Sequence, residues 1–146
     1  MGALALLLTS AVCMAAPVQQ QRNGSFVVKA GPLLGGVTSY DILRGRFSLR
    51  VGSYRTRTGL SQKIPWFPAA GTPVGDTLVV TGSALSLPRP RSFRQTFRAA
   101  QEVGGSQRTM FPSVISPPSI GCWSLTFTTG RTNASIAVLV RPRPSL

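Results

Sequence analysis

A nucleophile needs a base beside it, yet this chain has no histidine and only three carboxylates, Asp41, Asp76 and Glu102. A Ser-His-Asp triad is therefore excluded, and the commonest metal ligand and general base is missing. Three acids scattered along 146 residues offer no spacing from which a catalytic pair can be read. Serine with Lys29 or Lys63 is the remaining nucleophile chemistry, and nothing in the spacing selects a partner. Gly31-Pro-Leu-Leu-Gly-Gly36 lacks the Lys-Ser/Thr pair and the following helix of a phosphate-binding loop. We assign no catalytic residue, no metal ligand and no cofactor site, and read the chain as a non-enzyme.

Binding chemistry is better represented. Lys63, Trp66 and Phe67 stand together in Gln62-Lys-Ile-Pro-Trp-Phe67, and Pro65 and Pro68 argue for an edge strand or an extended surface segment rather than a central strand. An exposed aromatic pair beside cations can hold a sugar ring or a partner surface. The candidate contact patch is thus Lys63, Trp66 and Phe67, with Arg55 and Arg57 close in sequence supplying attraction to an anionic partner. The competing reading packs Trp66-Phe67 over one end of the core.

Charge points the same way. The 16 basic residues outnumber the acids by 13, which creates a long-range positive potential that anionic polymers would feel. The arginines alternate with apolar residues: Phe47, Leu49 and Val51 share one strand face, Arg46 and Arg50 the other, and Phe93 and Phe97 oppose Arg94 and Arg98. Such arginines belong to solvent faces. No helix-turn-helix, zinc-ligand set or base-stacking row of aromatics is present, which disfavours sequence-reading nucleic-acid recognition and leaves general polyanion or nucleic-acid binding as the alternative function.

The elements that must position these groups are strands. Twelve prolines, 15 glycines and no sustained helical periodicity describe short strands joined by turns, in a chain long enough for one core. The clearest signal is a C-terminal hairpin, in which Trp123, Leu125 and Phe127 alternate with Ser124, Thr126 and Thr128 and are answered by Ile136, Val138 and Val140. Further strands are expected at 25–29, 37–43, 46–54, 77–81, 92–99 and 110–115, with a turn at Gly35-Gly36. A loop is expected at 55–59, a stiff linker at Leu87–Arg91 and a flexible loop at 102–108. The expected core is Phe26, Val28, Phe47, Leu49, Val51, Leu78, Val80, Phe93, Phe97, Trp123, Leu125, Phe127, Ile136, Val138 and Val140.

The N-terminus carries an apolar run from Ala3 to Ala16 that is too short to span a bilayer, which takes roughly 20 residues. It reads as a secretory signal peptide over residues 1–15, cut after Ala15, although basic residues do not precede it. Residues 16–24 are then a flexible segment, 25–141 the β-sandwich domain and 142–146 a tail. Cleavage would remove Cys13 and leave Cys122 alone, as a buried thiol, an intermolecular disulfide or a reactive site, with burial favoured. Cys13 lacks the preceding Leu and small residue that lipid attachment wants, so membrane association is expected only through lipidation or an uncleaved leader.

Gln62-Lys-Ile-Pro-Trp-Phe67, Val74-Gly-Asp-Thr-Leu-Val-Val-Thr-Gly82, Phe111-Pro-Ser-Val-Ile115 and Pro118-Ser-Ile-Gly-Cys-Trp123 together resemble small exported proteins of actinobacteria and related bacteria. The resemblance spans residues 25–141 and implies an immunoglobulin-like antiparallel β-sandwich, secreted or held at the cell envelope. It supplies no catalytic residue. The expected function is interaction or structure at the bacterial envelope, with anionic envelope polymers or a surface protein as partner.

Overall fold

Alternation of side chains across a pleated backbone accounts for most of the architecture. The computed structural model describes residues 13–52, 63–85, 91–101 and 108–143. In chain order the strands are β1 (Val18–Gln20), β2 (Phe26–Ala30), β3 (Leu33–Val37), β4 (Ile42–Leu43), β5 (Arg46–Arg50), β6 (Ile64–Pro68), β7 (Thr77–Ala84), β8 (Ser92–Arg98), β9 (Ala100–Gln101), β10 (Thr109–Ser113), β11 (Gly121–Thr129) and β12 (Thr132–Arg141). They form two sheets, β1-β2-β3-β6-β10-β9 and β4-β5-β12-β11-β7-β8. The chain is an all-β sandwich. Its pairings are antiparallel except for β5 with β12, which run parallel.

The C-terminal hairpin is in the expected register, with Trp123 opposite Val138, Leu125 opposite Ile136 and Thr126 opposite Ser135. Ten of the expected core residues are buried, among them Val28, Phe47, Leu49, Leu78, Val80, Trp123, Leu125, Phe127, Val138 and Val140, while Phe26, Val51, Phe93, Phe97 and Ile136 pack against them partly buried. Ala15, Ala30, Leu33, Val37, Ile64, Trp66, Phe111 and Ile115 complete the buried set. The two sheets are also joined at one side by a polar clamp. From β8, the Gln95 amide donates to Val114 O at 3.1 Å and accepts from Ser116 N at 2.9 Å.

Several local expectations are corrected. Gly35 and Gly36 lie inside β3 rather than in a turn, because Trp66 crosses this strand: a Cβ on Gly35 would sit 2.7 Å from the indole. Segment 37–43 is not one strand; β3 ends at Val37, and a 3-10 turn at Ser39–Asp41 precedes β4. The buried Asp41 carboxylate accepts the Thr38 backbone N–H at 3.0 Å and stabilises that turn. Most instructive is β6, which lies in the middle of its sheet despite Pro65 and Pro68. Pro65 stands opposite Pro112, so two missing N–H donors fall on one rung, and Pro68 ends the strand. The expected linker at Leu87–Arg91 and the loops at 55–59 and 102–108 fall mostly outside the described residues.

The cysteines also depart from expectation. Cys122 is not a lone thiol: it forms a disulfide with Cys13, across 109 residues of sequence. Residues 16–20, expected to be flexible, are paired. Ala16 N–H donates to Ala137 O at 2.9 Å, Phe47 N–H donates to Ala16 O at 2.8 Å, and β1 pairs with β2. The physical reason is an unfilled position beside β12. Because β5 joins β12 only from Ser48 onward, the N-terminal segment occupies the adjoining stretch.

Closing so long a loop stabilises the folded state mainly by restricting the unfolded chain, and removing such a bond costs about 2–5 kcal/mol. Cys122→Ser should lower the urea midpoint accordingly. Cys13→Ser should match it, and the double variant should lose no more than either.

Candidate functional site

Within β6 the backbone sends alternate side chains to opposite faces, and this divides the expected contact patch. Ile64 and Trp66 point into the core and are fully buried. Trp66 packs on Phe127 of the opposite sheet, with ring centroids 4.4 Å apart and planes tilted by 48°, and meets Phe47 edge-on at 6.3 Å. Its indole N–H donates to Ser113 Oγ at 3.0 Å, and that hydroxyl donates to Ile64 O at 2.9 Å. Trp66 is therefore a core residue and not part of a contact surface. The segment's two prolines suggested exposure; pairing them with Pro112 and the strand end let it enter the sheet.

Phe67 and Lys63 have the opposite parity and face outward, Phe67 partly buried and Lys63 exposed. Register then assembles their neighbours. Lys29 of β2 lies opposite Leu34 of β3, and Leu34 lies opposite Phe67. Since Phe111 is opposite Trp66, Met110 of β10 flanks Phe67 on the same outer face. The guanidinium of Arg108 lies over the Phe67 ring, 4.4 Å from its centroid, in a cation–π contact. Beside this row, Gly36 lies against Pro65, whose Cγ would be 3.2 Å from a Cβ there.

The outer face of the first sheet thus carries a partly exposed apolar strip, Leu34, Phe67 and Met110, with Lys29, Lys63 and Arg108 exposed around it. Neither described carboxylate lies on a strand of this sheet: Asp41 is buried in the 3-10 turn, and Asp76 immediately precedes β7. Leu34, Met110, Lys29 and Arg108 escaped the sequence reading because they come from three segments that only strand register unites. Arg55 and Arg57 lie outside the described residues.

Other arginines are engaged in holding backbone. Arg141 donates to Tyr40 O at 3.2 Å, Arg50 to Pro142 O at 3.1 Å and Arg143 to Val51 O at 3.0 Å. Burial lowers the pKa of Arg141 from its ordinary value, the nearby charge of Arg50 lowers it further, and Asp41 opposes both. These groups gather the C-terminal end of β12 onto β5 and the turn before β4. Their geometry serves the fold.

A cleft of about 290 Å³ lies between the N-terminal segment and the β4–β5 hairpin, walled by Met14, Leu43, Phe47 and Leu139. Among the described residues there is no group of three or more side chains able to hold a metal ion. No helix among them is long and apolar enough to cross a membrane. No family model, no curated protein and no solved structure matches the chain.

Two adjacent aromatic residues should respond very differently to truncation. Trp66→Ala removes a fully buried ring and should cost about 3–5 kcal/mol in denaturant unfolding. Ser113→Ala leaves the indole N–H without its acceptor and should cost about 1–3 kcal/mol. Phe67→Ala should cost about 1 kcal/mol, because its ring is only partly buried, on the outer face of the sheet.

Proposed function

We propose that this chain is a non-catalytic, exported β-sandwich module that binds an acidic glycan polymer of the bacterial cell envelope on the outer face of its first sheet. The observation that carries the reading is the Phe67 row, an apolar strip bordered by Lys29, Lys63 and Arg108 on a sheet whose strands carry no carboxylate among the described residues. Stacking on Phe67 holds the Arg108 guanidinium in place, so an arriving carboxylate or phosphate meets a cation with less freedom to lose. The flat strip beside it can take the apolar face of a sugar ring.

The disulfide supports export, since such bonds form and persist in oxidising compartments. The composition supports a binding role over catalysis, as no histidine is available anywhere to activate a nucleophile. Net charge adds attraction over distance, which raises encounter rates with any polyanion. The alternative, general polyanion or nucleic-acid binding, rests on that charge alone and predicts no special part for Phe67.

Titration calorimetry with alginate, a uronic-acid polymer, separates the two. Arg108→Ala should weaken binding about two- to fivefold, the equivalent of about 0.5–1 kcal/mol for an exposed cation–π pair. Combined Lys29→Gln, Lys63→Gln and Arg108→Gln should reduce the log–log salt slope by about one per cation. Unchanged affinity in these variants, or equally tight binding to double-stranded DNA with no loss in Phe67→Ala, would reject the patch in favour of diffuse polyanion binding.

A further inference from the structure

We propose that the functional chain retains Cys13, and that proteolytic maturation cuts on its N-terminal side rather than after Ala15. The inference rests on the export reading for the protease that makes the cut; its structural basis is independent of that reading. Residues 13–18 are built into the sandwich. Cys13 is bonded to Cys122, and Ala15 is 2% exposed. Ala15 O accepts from the Arg46 guanidinium at 2.7 Å. Ala16 bridges two strands through its N–H to Ala137 O and its carbonyl to Phe47 N–H, and Val18 N–H donates to Gly45 O at 2.9 Å.

A cut after Ala15 would damage this arrangement in four ways. It would free the Cys122 thiol, remove the carbonyl that Arg46 engages, and strip Met14 and Ala15 from the cleft above Phe47 and Leu139. It would also turn the Ala16 amide into a charged ammonium in a partly buried position, next to the Arg46 that bridges Pro17. Burying an unpaired charge is costly, and a neighbouring cation makes it more so.

Hydrolysis adds water across the scissile bond, hydroxyl to the released carbonyl and hydrogen to the amine of the retained chain. Thiol–disulfide exchange with a disulfide oxidant of the compartment then joins Cys13 to Cys122, the oxidant leaving as its reduced dithiol.

The test is N-terminal sequencing and intact mass of the protein recovered from its native host, alkylated with iodoacetamide before and after reduction. The expected result is a chain beginning at or before Cys13 that takes up no alkyl group until reduced and then takes up two. A chain beginning at Ala16 with one thiol alkylated at once overturns the proposal and leaves export standing. A chain retaining Met1 with both thiols free overturns the proposal together with the export reading. Recombinant material gives a second arm. The oxidised chain begun at Val12 should resist thermolysin under native conditions at least about tenfold longer than one begun at Ala16, because cleavage follows the population of opened molecules. Equal lifetimes would overturn the structural argument.

Discussion

The indole of Trp66, seated between the sheets, is the contact on which the sandwich depends. A ring this large buries more apolar area than any aliphatic side chain, but its N–H must find an acceptor once water is gone. Ser113, on the neighbouring β10, supplies that acceptor and donates its own O–H to Ile64 O. Space for the ring comes from Gly35 on the other neighbouring strand, where any Cβ would collide with it. One residue thus constrains the composition of both strands beside it, and through Phe127 and Phe47 it sets the spacing to the opposite sheet.

The same constraint determines what the outer surface displays. With Trp66 committed inward, the pleat sends Pro65 and Phe67 outward, and register places Lys29, Leu34 and Met110 in line with Phe67. A binding face is therefore a by-product of core packing: the side chains that show are those with the opposite parity to the side chains that pack. Positive charge sorts in a similar manner. Arg50, Arg141 and Arg143 face backbone carbonyls at the C-terminal end of β12, whereas Lys29, Lys63 and Arg108 are exposed around an apolar strip, with Arg108 over the Phe67 ring.

Covalent closure acts at the far side of the second sheet. The disulfide joins a segment ahead of β1 to the second residue of β11, next to the place where β5 leaves β12 incompletely paired. Ala16 completes that ladder from both sides. On the opposite side, Gln95 ties β8 to the segment following β10. A two-sheet sandwich of this size has limited core, so fastening both sides with directional bonds limits slippage of one sheet over the other.

The all-β class, the Trp123–Val140 hairpin and ten buried residues were legible in the sequence, because strand alternation is a local property with a period of two and each strand writes it for itself. Of the contact patch, Lys63 and Phe67 were legible as outward-facing residues beside one another. Trp66 was misread, because proline marks a strand as an edge only when its partners offer carbonyl acceptors that its missing N–H leaves unanswered, and whether Pro65 meets Pro112 is a matter of register between segments 47 residues apart. The Cys13–Cys122 bond was illegible for a related reason: a leader-like apolar run and a buried core segment have the same local composition. Local sequence determined which way each side chain could point; which distant segment lay beside it, and so which parity became core and which became surface, was decided only when the two sheets closed on Trp66.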